Sequence, residues 1–324
     1  MIRMTNLTAP HFTDEDKARE HLEALRWPDG PVCPHCGSVT AKRLPDQRGK
    51  PSKAHPEGKL RKGLYQCNGC REQFTVTVGT VFEDSKIPLN KWLLATHLMC
   101  ASKKGISAHQ LHRMLGITYK SAWFMAHRIR EAMTPTDSDP MGGPGQDVEA
   151  DETFFGKDKT APESRTPFRN MNKIVSLVDR ATGRATSIVF SGRLNAADLG
   201  SYIYTKVDRS SRLLTDEAQY YKAIGREFAS HAFTTHARGE YVQKADRTAH
   251  TNTVEGFFGI FKRGMRGVYQ HCGQQHLERY LAEFDFRYSN RTALGINDDE
   301  RTVIALRGIA GKRLTYRRTD RLAA

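Results

Sequence analysis

The stretch "DVEADETFFG", residues 147–156, predicts the β-strand that opens the second half of the chain. Two more strands are expected directly after it, in "KIVSLVDR" (173–180) and "ATSIVF" (185–190), and the turn between them contains Gly183. A helix follows in "NAADLGSYIYTKV" (195–207), with Asn195 as its N-cap. This order of strands followed by a helix indicates a mixed α/β domain.

The remainder of this half continues the alternation of strands and helices. Strands are predicted in "SRLLTD" (211–216) and "FASHAFT" (228–234), and a short helix that ends at Gly225 lies between them. Two more helices are predicted in "HTNTVEGFFGIFKRG" (250–264) and "QQHLERYLAEFDFRY" (274–288). The Gly- and Pro-rich segment at residues 136–146 separates this domain, residues 147–324, from the first half.

The first half carries four of the six cysteines as two C-x-x-C pairs. They are Cys33 with Cys36 and Cys67 with Cys70, and 30 residues separate the pairs. Two such turns give four thiolates for one tetrahedral, structural Zn²⁺ ion. The spacing exceeds the usual zinc-ribbon length, and a polar, basic insertion accounts for the excess. Redox-active pairs are the alternative, but the segment lacks the βαβ context in which they occur.

A helical region precedes the linker. A helical lead-in is expected at residues 1–30, the zinc ribbon at 31–86, with a strand in "FTVTVGTVF" (74–82), and helices at 87–135. Within 87–135, a short helix, Gly116 and a second helix predict a helix-turn-helix, whose exposed residues on the second helix would contact DNA. Those residues are Tyr119, Lys120, Ser121 and Arg128, with His127 beside them. An ordinary helical hairpin is the alternative.

The net charge of +14 and the pI near 9.6 favour a polyanionic partner, although a basic soluble protein is the simpler explanation. There is no apolar signal segment at the start and no run long enough to span a membrane, so a cytoplasmic protein without a membrane partner is expected.

Three acidic residues follow the linker on different predicted elements. Asp151 lies on the first strand, Asp216 ends a later strand, and Glu255 lies near the start of a helix. Singly, each could be a turn or cap residue. Together they suggest converging carboxylates that bind two Mg²⁺ or Mn²⁺ ions for phosphoryl transfer. Glu149 and Glu152 flank Asp151 and were expected to point to the opposite face of the strand, which would exclude them.

These motifs resemble the DDE transposases and retroviral-type integrases. "NTVEGFFGIFKRG" is similar to the helix of the third acid in that family, with a basic residue, Lys262, seven positions after Glu255. "VEADETFFGK" and "LLTDEAQYYKAIG" resemble the two aspartate strands, and the zinc ribbon narrows the resemblance to one branch of bacterial insertion-sequence transposases. Asn252 is an alternative third ligand, because some members of this branch are described with asparagine in that position.

The resemblance covers nearly the whole chain, apart from the ribbon spacing. It implies a ribonuclease-H-like domain of mixed sheet and flanking helices at 147–324, which cleaves transposon ends and joins them to target DNA. It further implies DNA terminal repeats and target DNA as partners, a homo-oligomer on paired ends, and a bacterial, nucleoid-associated location. Lys262 would contact a DNA phosphate, and Arg263 would contribute to DNA binding. Two alternatives stay open: a DNA-binding regulator with a vestigial catalytic domain, and a ribonuclease-H-like nuclease that does not join strands.

Overall fold

The structure is a computed structural model that describes residues 6–53, 55–136, 139–161, 166–192 and 194–315. Parts of the expected lead-in (1–5), of the linker (137–138) and of the end of the catalytic domain (316–324) lie outside the described residues. The chain forms two compact units. The described residues of the first are 6–53, 55–101, 108–132 and 298–315, and those of the second are 102–107, 133–136, 139–161, 166–192 and 194–297.

The first unit combines helices with two small antiparallel sheets. Its helices are α1 (Pro10–Thr13), α2 (Glu15–Arg26), α3 (Leu89–Ala101), α4 (Ala108–Leu115), α5 (Tyr119–Met133, which ends at the unit boundary) and α10 (Asp298–Arg307). Its strands are β1 (Ala41–Arg43), β2 (Gln47–Arg48), β3 (Leu60–Arg61), β4 (Tyr65–Cys67) and β5 (Gln73–Phe74). One sheet has the order β1-β4-β5, and β2 pairs with β3 in the other.

The strand expected at 74–82 is largely wrong. β5 ends at Phe74, and the chain then turns, with Val78 N–H donating to the Thr75 carbonyl at 3.1 Å. Val76 and Val81 are buried, so turns of the chain direct these apolar side chains inward. Alternation of apolar residues alone does not distinguish a strand from such a series of turns.

The end of the chain groups with the first unit, whereas residues 147–324 were expected to form a single domain. His97 Nδ1 on α3 lies 3.0 Å from Thr302 Oγ1 on α10, and the Arg301 guanidinium donates to the Cys100 carbonyl at 2.8 Å. These contacts between distant segments hold α10 against α3. No helix in the described part of the chain is both long enough and apolar enough to cross a membrane.

The second unit is a five-stranded mixed sheet with helices on both faces. Its strands are β6 (Asp147–Lys157), β7 (Met171–Asp179), β8 (Ala185–Phe190), β9 (Arg212–Thr215) and β10 (Ser230–Phe233). Its helices are α6 (Ala196–Lys206), α7 (Gln219–Gly225), α8 (Asn252–Gly264) and α9 (Leu277–Ser289). The order is β10-β9-β6-β7-β8; β6, β7 and β8 pair antiparallel, and β9 and β10 are parallel to β6. The predicted order of strands and helices is confirmed, including Asn195 as the N-cap of α6.

Alternation along β6 assigns its two faces to different helices. Val148 and Ala150 belong to the apolar cluster formed with α6 and α7. The other cluster joins β7 and β8 to α8 and α9, and it includes Phe257 and Phe261, which are buried. Because side chains alternate between the faces of a strand, Glu149 and Asp151 lie on the face that α8 covers.

Asp285 on α9 is a buried carboxyl between the helix and the sheet. The Ser187 hydroxyl donates to Asp285 Oδ1 at 2.7 Å, and burial raises the pKa of Asp285 to about 7. The folded protein therefore binds a proton that the unfolded chain has released, between about pH 4 and pH 7. In this window the contribution of Asp285 to stability falls as pH rises, and above pH 7 it stays constant.

The substitution Asp285→Asn removes this titration and keeps the acceptor for Ser187. We expect the wild-type protein to lose a few kcal/mol relative to the variant between pH 4 and pH 7, at about 1.4 kcal/mol per unit of pKa shift. Urea unfolding at several pH values measures the difference. Parallel stability profiles for the two proteins would contradict the assignment.

Candidate functional site

The four cysteines of the two pairs converge. One sulfur atom from each lies within 4.8 Å of all the others. Cys33 Sγ is 3.7 Å from Cys70 Sγ, and Cys36 Sγ is 3.6 Å from Cys67 Sγ. A tetrahedral zinc site with Zn–S bonds of about 2.3 Å has S–S edges of about 3.8 Å, whereas a disulfide bond is about 2.05 Å long. The sulfur atoms therefore fit one structural Zn²⁺ ion.

The two cysteine turns are built alike. In each, the residue after the second cysteine has a positive φ, 74° at Gly37 and 66° at Arg71. Its N–H donates to the carbonyl of the first cysteine, at 2.9 Å in the first turn and 3.1 Å in the second. The backbone N–H of Cys70 also lowers the pKa of Cys67 to about 6, which favours the thiolate form that binds metal.

Asp151 and Asp216 are brought together by strand register. β6 and β9 are parallel, with Val148 opposite Leu213 and Glu149 opposite Leu214. Continuing this register by two residues places Asp216, just beyond the end of β9, beside Asp151. Neighbouring strands are about 4.8 Å apart, and oxygen atoms of the two carboxylates lie within 4.8 Å.

Proximity and burial shift the acidity of this cluster. Burial raises the pKa of Asp151 well above its ordinary value, and the charges of Glu152, Asp216 and Glu255 raise it further. Burial likewise raises the pKa of Asp216, an effect that the Ala218 N–H opposes by donating to its carboxylate at 2.9 Å. Carboxylates of like charge repel one another unless a cation lies between them. This all-oxygen donor set fits a hard divalent cation.

The exclusion of Glu152 from the site is wrong. Its side chain leaves the opposite face of β6, where the Tyr220 and Tyr221 hydroxyls donate to its carboxylate. One Glu152 oxygen nevertheless lies within 4.8 Å of oxygens of Asp151 and Asp216. β9 ends at Thr215, so beyond that residue no strand lies beside this edge of β6 to separate the two faces of the sheet. Carboxylates from both faces therefore meet there.

The face assigned to Glu149 is also wrong, because residues two apart on a strand share a face. Glu149 is fully buried, and its Oε2 accepts hydrogen bonds from the N–H groups of Thr253 and Val254, both at 2.9 Å. These are orphan donors of the first turn of α8, and the N-cap Thr251 does not bond them with its side chain. Arg180 Nε donates to Glu149 Oε1 at 2.6 Å. Glu149 therefore fixes the start of α8 two residues along the strand from Asp151.

Glu255 reaches the edge of the cluster. Its Oε1 accepts from the Thr251 hydroxyl at 3.0 Å and lies 3.5 Å from His236 Nε2. Glu255 is absent from the group of oxygens within 4.8 Å of one another, but its charge raises the pKa of Asp151. The side chain of Asn252, one helical turn before Glu255 at the start of α8, is exposed.

His236 belongs to the same surroundings, and no motif in the sequence points to this residue. The Glu217 carboxylate accepts from the N–H groups of His236 and Ala237, both at 2.9 Å, and so holds this loop. His236 opposes the rise in the pKa of Asp216. An imidazole therefore belongs to the surroundings of both the second aspartate and Glu255.

Lys262 lies two turns along α8 from Glu255 and is half-buried. Burial lowers the pKa of its ammonium group, Arg266 lowers it further, and Asp151 opposes the effect. The influence of Asp151 indicates that Lys262 lies on the side of α8 that faces the carboxylates. Arg263 is exposed, and its Nε donates to the Gly259 carbonyl at 2.9 Å.

The expected helices of the helix-turn-helix segment are present as α4 and α5, with Gly116 at a φ of 59° between them. Tyr119 and Lys120 are exposed, and Ser121 is partly buried with its N–H bonded to Thr118 Oγ1.

The expectation that Arg128 is exposed is wrong. It is 6% exposed, lies over the Trp92 ring and donates to the Glu83 carbonyl, and the adjacent His127 is also buried. Arg128 and His127 lie on the part of α5 that turns into the apolar interior of the unit, so they do not belong to a DNA-binding surface.

The four-cysteine cluster of the first unit and the acidic cluster on the mixed sheet of the second unit are two groups of side chains that could each hold a metal ion. The family model described as the transposase zinc-ribbon domain matches residues 13–73, and the ISXO2-like transposase domain matches residues 142–289. The chain belongs to the DDE-type insertion-sequence transposases that carry an N-terminal zinc ribbon.

The chain is similar to two further proteins. A Halobacterium salinarum protein, described as an uncharacterized protein in transposable element ISH50, is 24% identical over 294 residues, which are 85% of this chain and 91% of that protein. A chain in the cryo-EM structure of the simian T-cell lymphotropic virus intasome in complex with PP2A regulatory subunit B56 gamma is 17% identical. That match has a TM-score of 0.28 and covers 54% of this chain and 63%, less than two thirds, of the viral one. A score this low carries no argument about the fold.

The zinc assignment predicts the metal content of the purified protein. We expect about one zinc ion per wild-type chain, and nearly none in Cys36→Ser, because three sulfur ligands do not close a structural site. Cys272→Ser is the matched control, since Cys272 lies outside the cluster. Elemental analysis by mass spectrometry measures the zinc. Equal zinc in the two variants would remove Cys36 from the site.

Proposed function

We propose that this chain cleaves the ends of its insertion sequence and joins them to target DNA, with Asp151, Asp216 and Glu255 as ligands of two Mg²⁺ or Mn²⁺ ions. The observation that carries this proposal is the convergence of Asp151, within β6, and Asp216, just beyond the end of the parallel strand β9, with oxygens within 4.8 Å. Glu255 approaches from α8, whose start Glu149 holds against the same strand.

The sheet supports the same proposal. Three antiparallel strands, followed by two parallel strands added beside the first, make the order β10-β9-β6-β7-β8. This is the arrangement we expect of a ribonuclease-H-like domain. In it, the first strand is central and carries the first aspartate, and the fourth strand ends at the second.

The site residues have separate tasks. Two bound metal ions would supply an activated water or 3′-hydroxyl and stabilise the leaving oxygen of an in-line displacement. Asp151 and Asp216 orient their carboxylates from neighbouring strands, and the Ala218 N–H fixes that of Asp216. Lys262 directs an ammonium group toward the same side and is suited to hold a DNA phosphate. The joining reaction needs both a nucleophile and a DNA end held in place.

Three residues are candidates for the third metal ligand. Glu255 carries a charge and lies near the cluster, Asn252 is neutral and exposed, and Glu152 already lies within 4.8 Å of both aspartates. The Tyr220 and Tyr221 hydroxyls donate to the Glu152 carboxylate, whereas the Glu255 carboxylate accepts from the Thr251 hydroxyl and lies beside His236. We therefore propose Glu255 as the ligand and Glu152 as the group that holds the edge of the site.

DNA binding is proposed for the first unit as well. α4 and α5 form the two helices of a helix-turn-helix, and Tyr119, Lys120 and Ser121 at the start of α5 are suited to a DNA groove. Arg263 on α8 would add a phosphate contact. A homo-oligomer on paired transposon ends is proposed from the family alone. A regulator with a vestigial site is less well supported, because both aspartates and Glu255 are retained.

The catalytic assignment predicts the loss of joining activity. Asp151→Asn and Asp216→Asn should each reduce Mg²⁺-dependent strand transfer of terminal-repeat DNA by at least about a hundredfold, since each removes a charged ligand without changing its size. Glu278→Gln, an exposed acid on α9, is the control. A strand-transfer assay on labelled duplex with each variant gives the rates. Full activity in either aspartate variant contradicts the site, and cleavage without joining by the wild type indicates a nuclease.

A second comparison identifies the third ligand. Glu255→Gln should lower strand transfer about as strongly as the aspartate variants, whereas Asn252→Ala and Glu152→Gln should keep measurable activity, with Glu152→Gln the lower of the two. The same assay, repeated across Mn²⁺ concentrations, separates weak metal binding from loss of chemistry. If Asn252→Ala is the inactive variant and Glu255→Gln is active, the third ligand is Asn252.

A further inference from the structure

The insertion that lengthens the zinc ribbon is a folded element. β2 pairs antiparallel with β3, with Gln47 opposite Arg61, and Gly49 N–H donates to the Lys59 carbonyl at 2.9 Å. We call residues 46–53 and 55–62 the basic arm. Its tip is closed by Ser52 and His55, whose N–H groups donate to each other's carbonyls at 2.9 and 3.1 Å.

The basic arm continues the ribbon that ends at the zinc site. β1 pairs with β4, which contains Cys67, and Leu44 N–H donates to the Leu64 carbonyl at 2.8 Å one step further along. β2 and β3 then extend the same two segments of chain. At the base, Lys62 Nζ contacts Asp16 Oδ2 on α2 at 2.5 Å. The arm is therefore attached to the folded ribbon at both of its ends.

Glycine is required where the two chain segments beyond β2 and β3 approach each other. Gly58 has a φ of 80°, and a Cβ atom there would lie 2.0 Å from the Gly49 carbonyl oxygen. Both the conformation and the close approach exclude a side chain. The hairpin thus depends on Gly58, and a substitution at this residue disrupts it without changing its charge.

The charge of the basic arm is strongly positive. Its 16 residues contain six basic and two acidic side chains, a net charge of +4 out of +14 for the chain. One acid, Glu57, is paired with Arg48 at 3.4 Å. Lys50, Lys53, Lys59 and Arg61 are exposed, and no ion pair joins any of them to another described residue.

We propose that the basic arm is a second DNA-binding element, which contacts the phosphates of a duplex independently of its sequence. This inference rests on the proposed function, since it assigns a further surface for the same partner. Clustered cations on a hairpin match the negative charge of a duplex, and a two-stranded ribbon fits the width of a major groove. Lysine ammonium groups on flexible stems suit phosphate contacts better than bidentate contacts to bases.

The test measures DNA binding by the full chain at several salt concentrations. The arm variant is Lys50→Gln, Lys53→Gln and Lys59→Gln together. The control variant is Lys17→Gln, Lys86→Gln and Lys222→Gln, which removes the same charge from exposed lysines elsewhere. The probes are two fluorescent duplexes of equal length and unrelated sequence, and binding is followed by anisotropy. Zinc content confirms that the ribbon of each variant is folded.

We expect the arm variant to bind both duplexes at least about tenfold more weakly than wild type, with a salt slope reduced by about 2 to 3, because each lost phosphate contact removes about 0.9. The control variant should change much less. Gly58→Ala, which retains every charge, should also weaken binding to both duplexes.

Three results would overturn the proposal. The arm and control variants could lose equal affinity, Gly58→Ala could bind like wild type, or the arm variant could lose self-association in sedimentation while binding DNA normally, which would make the arm a contact between copies of the chain. Failure of the proposed function is a separate result, because then the wild-type protein itself would neither bind DNA nor join strands.

Discussion

The arrangement of the second unit around its acidic cluster depends on the carboxylate of Glu149. It is buried on the central strand and receives the two N–H groups that the first turn of α8 would otherwise leave without partners. Burial of a charge is costly unless it is paired, and here Arg180 and the helix N-terminus pair it. Arg180 also donates to the carbonyls of Thr248 and His250, in the segment that leads into α8. Through these bonds, one strand positions both Asp151 and the helix that carries Glu255 and Lys262.

The acidic cluster holds carboxylates close together although their burial and their charges oppose it. Asp151, Glu152 and Asp216 are drawn together by strand register, by the end of β9 and by two tyrosine hydroxyls. Burial raises the pKa values of all three, and the charges of neighbours in the cluster raise those of Asp151 and Glu152 further. Such an arrangement is unfavourable for a carboxylate cluster alone and favourable for a cation. The surrounding contacts hold this geometry, which is the preorganisation that the proposed phosphoryl transfer would need.

The two units use metal ligands for different purposes. The cysteines form a closed set with no position for substrate, so their role is to hold the ribbon together and to anchor the basic arm. The carboxylates lie at the level of the sheet where β9 ends. The net positive charge of the chain, of which the basic arm carries +4, suits a polyanion.

The sequence alone determined most local features. Composition indicated a polyanionic partner, and the spacing of the C-x-x-C pairs predicted a zinc site. Apolar periodicity, with caps such as Asn195, predicted the strands and helices of the second unit. All of these signals can be read from the sequence because they are local. Only the tertiary structure decided which side chains meet. Strand alternation, correctly applied, places Glu149 on the face of Asp151, but it does not reveal that α8 starts over that face. Alternation excludes Glu152, because it does not reveal that the neighbouring strand ends at Thr215. Arg128 was expected to be exposed because it is charged. In the structure the ring of Phe124, on the same helix, covers its guanidinium together with the ring of Trp92, which the fold brings from a distant segment.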